Sequence, residues 1–88
     1  VGGHTPQYLN TYIRFIMNKP SIADLKAMHD RYNEMLEWYK LQIIKGINYD
    51  KHDEYSEQIK ELSVVVFNVG RELEVAMQQA YLQYVNKI

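Results

Sequence analysis

The chain contains no cysteine, only two prolines and no long apolar run. Without cysteine there is neither a disulfide framework nor a thiolate zinc site, which fits a reducing compartment and an expected cytoplasmic location. The longest aliphatic or aromatic run is Val64-Val65-Val66-Phe67, far short of the ~20 residues a membrane span requires. Charge of one sign is also lacking. A net charge of −1 leaves no broad basic field for phosphate backbones. No basic segment precedes an apolar one at the N-terminus, so nothing there resembles a signal peptide. Residues 1–4, Val-Gly-Gly-His, read as a cloning remnant or a disordered N-terminus, and residues 5–88 as a single helical domain.

What is present suits one folded domain. The 88 residues are 47% apolar and 24% charged, ordinary proportions that argue against wholesale disorder. Eight tyrosines stand against two phenylalanines and one tryptophan. Tyrosine has an apolar body and a polar tip and suits half-buried seams and interfaces. An A·T-rich genome would produce the same bias.

The two prolines mark helix starts. Thr5-Pro6 reads as an N-cap followed by proline at the first helical position. The helix it opens runs to about Asn18, with Leu9, Tyr12, Ile13, Ile16 and Met17 at steps of three and four. Asn18-Lys19-Pro20 breaks it. Ser21 and Asp24 then form a variant capping box. The second helix carries a seam from Ile22 through Leu25, His29, Tyr32, Leu36, Tyr39 and Ile43, the spacing of a helix packed lengthwise on a neighbour. Gly46 supplies a left-handed stop, with Ile47 placed for a Schellman contact. In the turn Asn48-Tyr49-Asp50, Asp50 is the expected N-cap of helix three, and Asp53 and Glu54 suit its first turn.

From Tyr55 a second seam runs through Ile59, Leu62, Val66, Val69, Leu73, Ala76 and Ala80. Val64 to Phe67 has strand-like propensity, but the seam crosses it in phase, so it is read as helix. Gly70 marks a kink, a break into a fourth helix or a close backbone approach. The short connection makes helices two and three antiparallel neighbours. The expected fold is an all-α bundle: a short first helix and a long antiparallel hairpin.

The end of helix three is its most informative part. Residues 75–86 carry no charge, and Met77, Tyr81, Tyr84 and Ile88 form a second apolar stripe beside the seam, widened by Leu82 and Val85. A helix apolar on more than one face is usually buried on more than one face, and loss of charge with Tyr and Met present matches an interface core. These six residues are the candidate contact surface, for a second copy or another protein. The competing expectation is that helix one folds over this end within one chain.

Candidates for chemistry are few, and no catalytic residue, cofactor or metal site is assigned. His29 on the helix-two seam suits a buried ligand or base, or a core histidine bonded to a tyrosine hydroxyl. His52 among Asp50, Asp53 and Glu54 suits a weak surface metal site or a solvated helix start. His4 falls in the remnant. The Glu-x-x-His pair of di-metal bundles is missing, as are a phosphate loop and Gly-x-Ser-x-Gly. Arg14, Arg31 and Arg71 are too few to imply an anion site. A helix–turn–helix reading finds Lys26, Arg31, Lys40 and Lys45 on helix two offset by Asp24, Asp30, Glu34 and Glu37. Nucleic acid is therefore disfavoured as a partner, and a small nucleic-acid-binding regulator is kept as the second class; it predicts binding that weakens steeply with salt. The acidic stretch from Asp50 to Glu61 reads as a solvated face or as a dock for a basic partner. The Lys19-Pro20-Ser21 turn resembles that of type III secretion needle subunits, which are helical hairpins around a Pro-Ser turn. The likeness stops at the turn, because the long third helix has no counterpart, and it assigns no family. The leading expectation is a non-enzymatic protein-interaction module that self-associates and binds or regulates another protein.

Overall fold

In a computed structural model that describes residues 7–87, three helices follow one another: α1 (Gln7–Met17), α2 (Ile22–Ile44) and α3 (His52–Asn86). No strand occurs among the described residues. The expected Thr5-Pro6 cap, His4 and Ile88 lie outside them.

Local chemistry sets the breaks. α1 stops because Pro20 disfavours helical backbone at the residue before it. Lys19 instead turns left-handed at φ 51°, and its N–H donates to the Ile16 carbonyl at 3.1 Å. α2 then opens on a complete capping box. The Asp24 N–H donates to Ser21 Oγ at 3.1 Å, and the Ser21 N–H to the Asp24 carboxylate at 3.4 Å. At the other end Gly46 adopts φ 69°. Its N–H reaches the Ile43 carbonyl at 3.1 Å and that of Ile47 reaches Gln42 at 3.2 Å, the paired bonds of a Schellman stop.

The expectation for Asp50 is corrected. Asn48 is left-handed at φ 57°, and its carbonyl accepts the Lys51 N–H at 2.8 Å. A 3-10 turn over Tyr49–Lys51 therefore feeds straight into α3, which starts at His52 with no side-chain cap. Asp50 sits inside that turn. Asp53 and Glu54 do occupy the first turn of α3, where negative charge meets the positive end of the helix dipole.

α2 and α3 form the antiparallel hairpin. Leu25, Tyr32 and Leu36 from α2 meet Leu62, Val65 and Val69 from α3, the last three fully buried. α3 runs unbroken through Gly70. The glycine marks a close approach, because a Cβ there would lie 3.5 Å from the His29 imidazole. The valine run is helical as expected, with Val65 inside and Val64 and Phe67 exposed.

α1 lies in the groove of the hairpin and runs in the same direction as α3. Leu9 at its start meets Glu61, while Ile16 near its end lines one groove with Val75, Ala76 and Gln79. Tyr8, Leu9, Tyr12, Phe15 and Ile16 complete the core from this side. The chain is extended, 58 × 29 × 14 Å, with a radius of gyration of 16.3 Å, against roughly 12 Å for a compact chain of this length.

Candidate interaction surface

The length mismatch between the helices creates the surface. α2 has 23 residues and α3 has 35. Pairing starts at the hairpin, where Trp38 meets Tyr55 edge-on and Tyr39 meets it at a tilt, and continues past His29 beside Gly70. It runs out where α2 begins, with Leu25 lining a groove together with Val75 and Ala76. α1 does not make up the difference: the groove beside Ile16 is lined by no residue of α3 beyond Gln79. Every residue from Met77 to Lys87 is exposed.

Five of the six expected contact residues fall on this overhang. Met77, Tyr81 and Tyr84 are 54%, 60% and 68% exposed, and Leu82 and Val85 are also uncovered. At 100° per residue, Met77, Tyr81 and Tyr84 share one stripe, Val85 flanks it, and Leu82 points further round the helix. The stripe continues the side of α3 that faces α2 lower down.

α1 is held by a group that the pattern of the chain concealed. Glu61 is only 7% exposed, and its carboxylate accepts the Leu9 N–H at 2.9 Å. That donor belongs to the first turn of α1, which has no acidic residue of its own, so a carboxylate from α3 caps it. Beside it the Tyr8 and Tyr39 hydroxyls lie 3.2 Å apart, and the Tyr8 ring meets Tyr32 edge-on at 5.8 Å. Burial, first, and then the Tyr39 bond and the Glu61 charge push the Tyr8 hydroxyl well above the usual tyrosine range. Tyr12 is raised by burial and by the charge of Glu72. The acidic stretch is therefore split. Asp50, Asp53, Glu54 and Glu57 are exposed, but Glu61 is a buried fastening. The available signal was the position of Glu61, directly before Leu62 and one turn ahead of Val65.

The histidines have structural settings. The His29 ring packs over Gly70 and is not bonded to a tyrosine hydroxyl; its Nδ1 lies 3.7 Å from the Asp30 carboxylate. His52 Nε2 engages the Ile47 carbonyl at 2.8 Å, with its ring 4.9 Å from that of Tyr49, and so closes the hairpin turn. Among the described residues no three of His, Asp and Glu gather as metal ligands, and no helix is long and apolar enough to cross a membrane. Arg14, Arg31 and Arg71 are exposed, one on each helix. Two open grooves flank α1. One, of about 320 Å³, is lined by Ile16, Pro20, Leu25, Val75 and Ala76 together with Lys19 and Glu72. The other, of about 310 Å³, holds Thr11, Phe15, Asp24, Met28, Arg31 and Tyr32. Its Thr11 and Asp24 side chains are engaged with backbone, at Gln7 and Ser21.

No protein-family model matches this chain, and neither a curated protein nor a solved structure is significantly similar to it.

Proposed function

We propose that this chain is a non-enzymatic interaction module of the cytoplasm that self-associates through the overhang of α3 and, in that state, binds or regulates another protein. One observation carries the reading. The last eleven described residues, 77–87, hold no neighbouring helix, yet they present Met77, Tyr81, Leu82, Tyr84 and Val85 without a charge before Lys87. A helix end that only faced solvent would be stabilised and kept soluble by charged residues. Tyr and Met in a charge-depleted patch are instead the residues of interface centres.

Sedimentation equilibrium tests this. The parent chain is expected to form a dimer or larger species between micromolar and submillimolar concentration. Tyr81→Asp and Tyr84→Asp, which bury a carboxylate in the contact, are expected to be monomeric with unchanged helicity. Variants that sediment like the parent would reassign the surface.

A further inference from the structure

We infer that α1 is an exchangeable strap: its site on the hairpin also accepts α1 of a second copy, so that two chains trade their first helices. The inference goes beyond the overhang contact and does not draw on Tyr81 or Tyr84. It starts from the two left-handed helix stops. α2 ends on Gly46 at φ 69°, where glycine adopts the left-handed form without steric cost. α1 ends on Lys19 at φ 51°, so a residue with a Cβ does the work of a glycine. Pro20 follows, and it favours extended backbone at residue 19. Both preferences are denied while α1 folds back on its own hairpin, and both are met when the link 18–21 opens. Ser21 needs no change, since it is already extended at φ −73° and ψ 168° and caps α2.

What α1 binds is equally available on a second chain. No described residue of α1 is buried, so its docking is a surface contact with two specific points. The Leu9 N–H meets the Glu61 carboxylate, and the Tyr8 hydroxyl meets that of Tyr39. Glu61 and Tyr39 both sit on the hairpin, which α2 and α3 build between them. An α1 arriving from another copy makes the same contacts, so exchange loses none of them. Opened, the link 18–21 spans about 13 Å at ~3.3 Å per residue, enough to carry α1 to a hairpin alongside. Proximity opposes exchange, because a tethered α1 meets its own site at an effective concentration of roughly millimolar order or more. The left-handed penalty at Lys19 favours it, by roughly fivefold per link and about 25-fold in a dimer that opens two. The exchanged dimer is accordingly expected when the chain is refolded near millimolar concentration.

The test uses the full chain. Isotopically labelled and unlabelled chains are mixed in denaturant and refolded together near millimolar concentration, and the dimer is isolated by size exclusion. Isotope-filtered nuclear Overhauser spectra then read whether the Tyr8 ring, which meets Tyr32 edge-on, contacts Tyr32 and Tyr39 of its own chain or of the other. Contacts between labelled and unlabelled chains are expected. Lys19→Gly holds the left-handed form without penalty, and is expected to lower the association constant of the exchanged dimer roughly tenfold or more with no loss of monomer stability. Lys19→Val, whose β-branch resists positive φ, is expected to raise it. A dimer in which Tyr8 contacts only its own chain overturns exchange while leaving association through the overhang standing. Equal exchange in the Gly and Val variants overturns the role given to Lys19 and the inference with it. A chain that stays monomeric after refolding near millimolar concentration overturns it as well.

Discussion

Glu61→Ala is the substitution expected to release α1. The buried carboxylate holds the Leu9 N–H at 2.9 Å. Hydrogen bonds to charged groups contribute about 1.5–3 kcal/mol, and the N–H left behind adds its own desolvation penalty if it stays covered. α1 has little to oppose this. It is 11 residues long, below the ~12–15 at which an isolated helix holds in water, and all of its core contributors remain partly exposed. A loss of about 2 kcal/mol should therefore appear as local opening before it appears as global unfolding. Amide exchange over residues 7–17 is expected to accelerate roughly 30-fold, at 1.4 kcal/mol per tenfold, with smaller changes at the buried positions Leu62, Val65 and Val69. Glu61→Gln keeps an acceptor without the charge and should fall between parent and Ala. The opposing term is the cost of keeping a carboxylate out of water, which exceeds the gain in some buried ion sites. If α1 amides exchange no faster in Glu61→Ala, or if Glu61→Leu raises the melting temperature, the carboxylate does not fasten α1.

Two further outcomes follow from the same packing. Gly70→Ala places a Cβ 3.5 Å from the His29 ring, an ordinary contact, and removes the helix-interior penalty of glycine. It should raise stability by up to about 1 kcal/mol in chemical denaturation, whereas Gly70→Leu, which must displace His29, should lower it. At high pH the fold should weaken through α1. Tyr8 and Tyr12 are held protonated above the ordinary tyrosine range, mainly by burial. The unfolded chain then binds fewer protons than the folded one above pH ~10. Their contribution is complete below that pH and is lost as pH rises past it. Tyrosinate absorbance and far-ultraviolet dichroism should change together, and Tyr8→Phe should reduce the pH dependence while losing the bond to Tyr39.

Much of the hairpin was legible because its signals are local. Ser21 with Asp24, and Gly46 with Ile47, set both ends of α2 through short-range hydrogen bonds. Leu25, Tyr32 and Leu36 against Leu62 and Val69 follow from a 3.6-residue period. The chargeless overhang was equally visible, since it depends on composition alone. What escaped depends on lateral placement. The seam counted Val66 and missed Val65 and Glu61, because the α3 seam reports one neighbour and α1 supplies a second from the side. An amphipathic α1 specifies only that it needs an apolar surface, not which one; the side of α3 that it covers is decided by the four-residue link 18–21 and the Glu61 cap. Asp50 misled for a related reason. A capping residue is recognised by type, but the left-handed Asn48 had already turned the chain, leaving Asp50 within a 3-10 turn.

The position of α1 also decides how the overhang should behave. Had α1 crossed the end of α3, Tyr81 and Tyr84 would be core residues and their exposure would be low. Instead Glu61, in the first third of α3, anchors the start of α1, and α1 ends short of Tyr81. Beyond Gln79 the helix is held only by its own hydrogen bonds, propagating from the packed part. Such a segment frays readily, with an opening free energy near zero. A bound copy supplies the missing tertiary contacts. Amide protection over residues 80–87 should consequently rise with protein concentration, in step with the sedimentation data, while protection at Leu62 and Val65 stays constant. Protection of the overhang that is already high in dilute monomer would mean that helix propensity alone secures it. The segment would then require no partner.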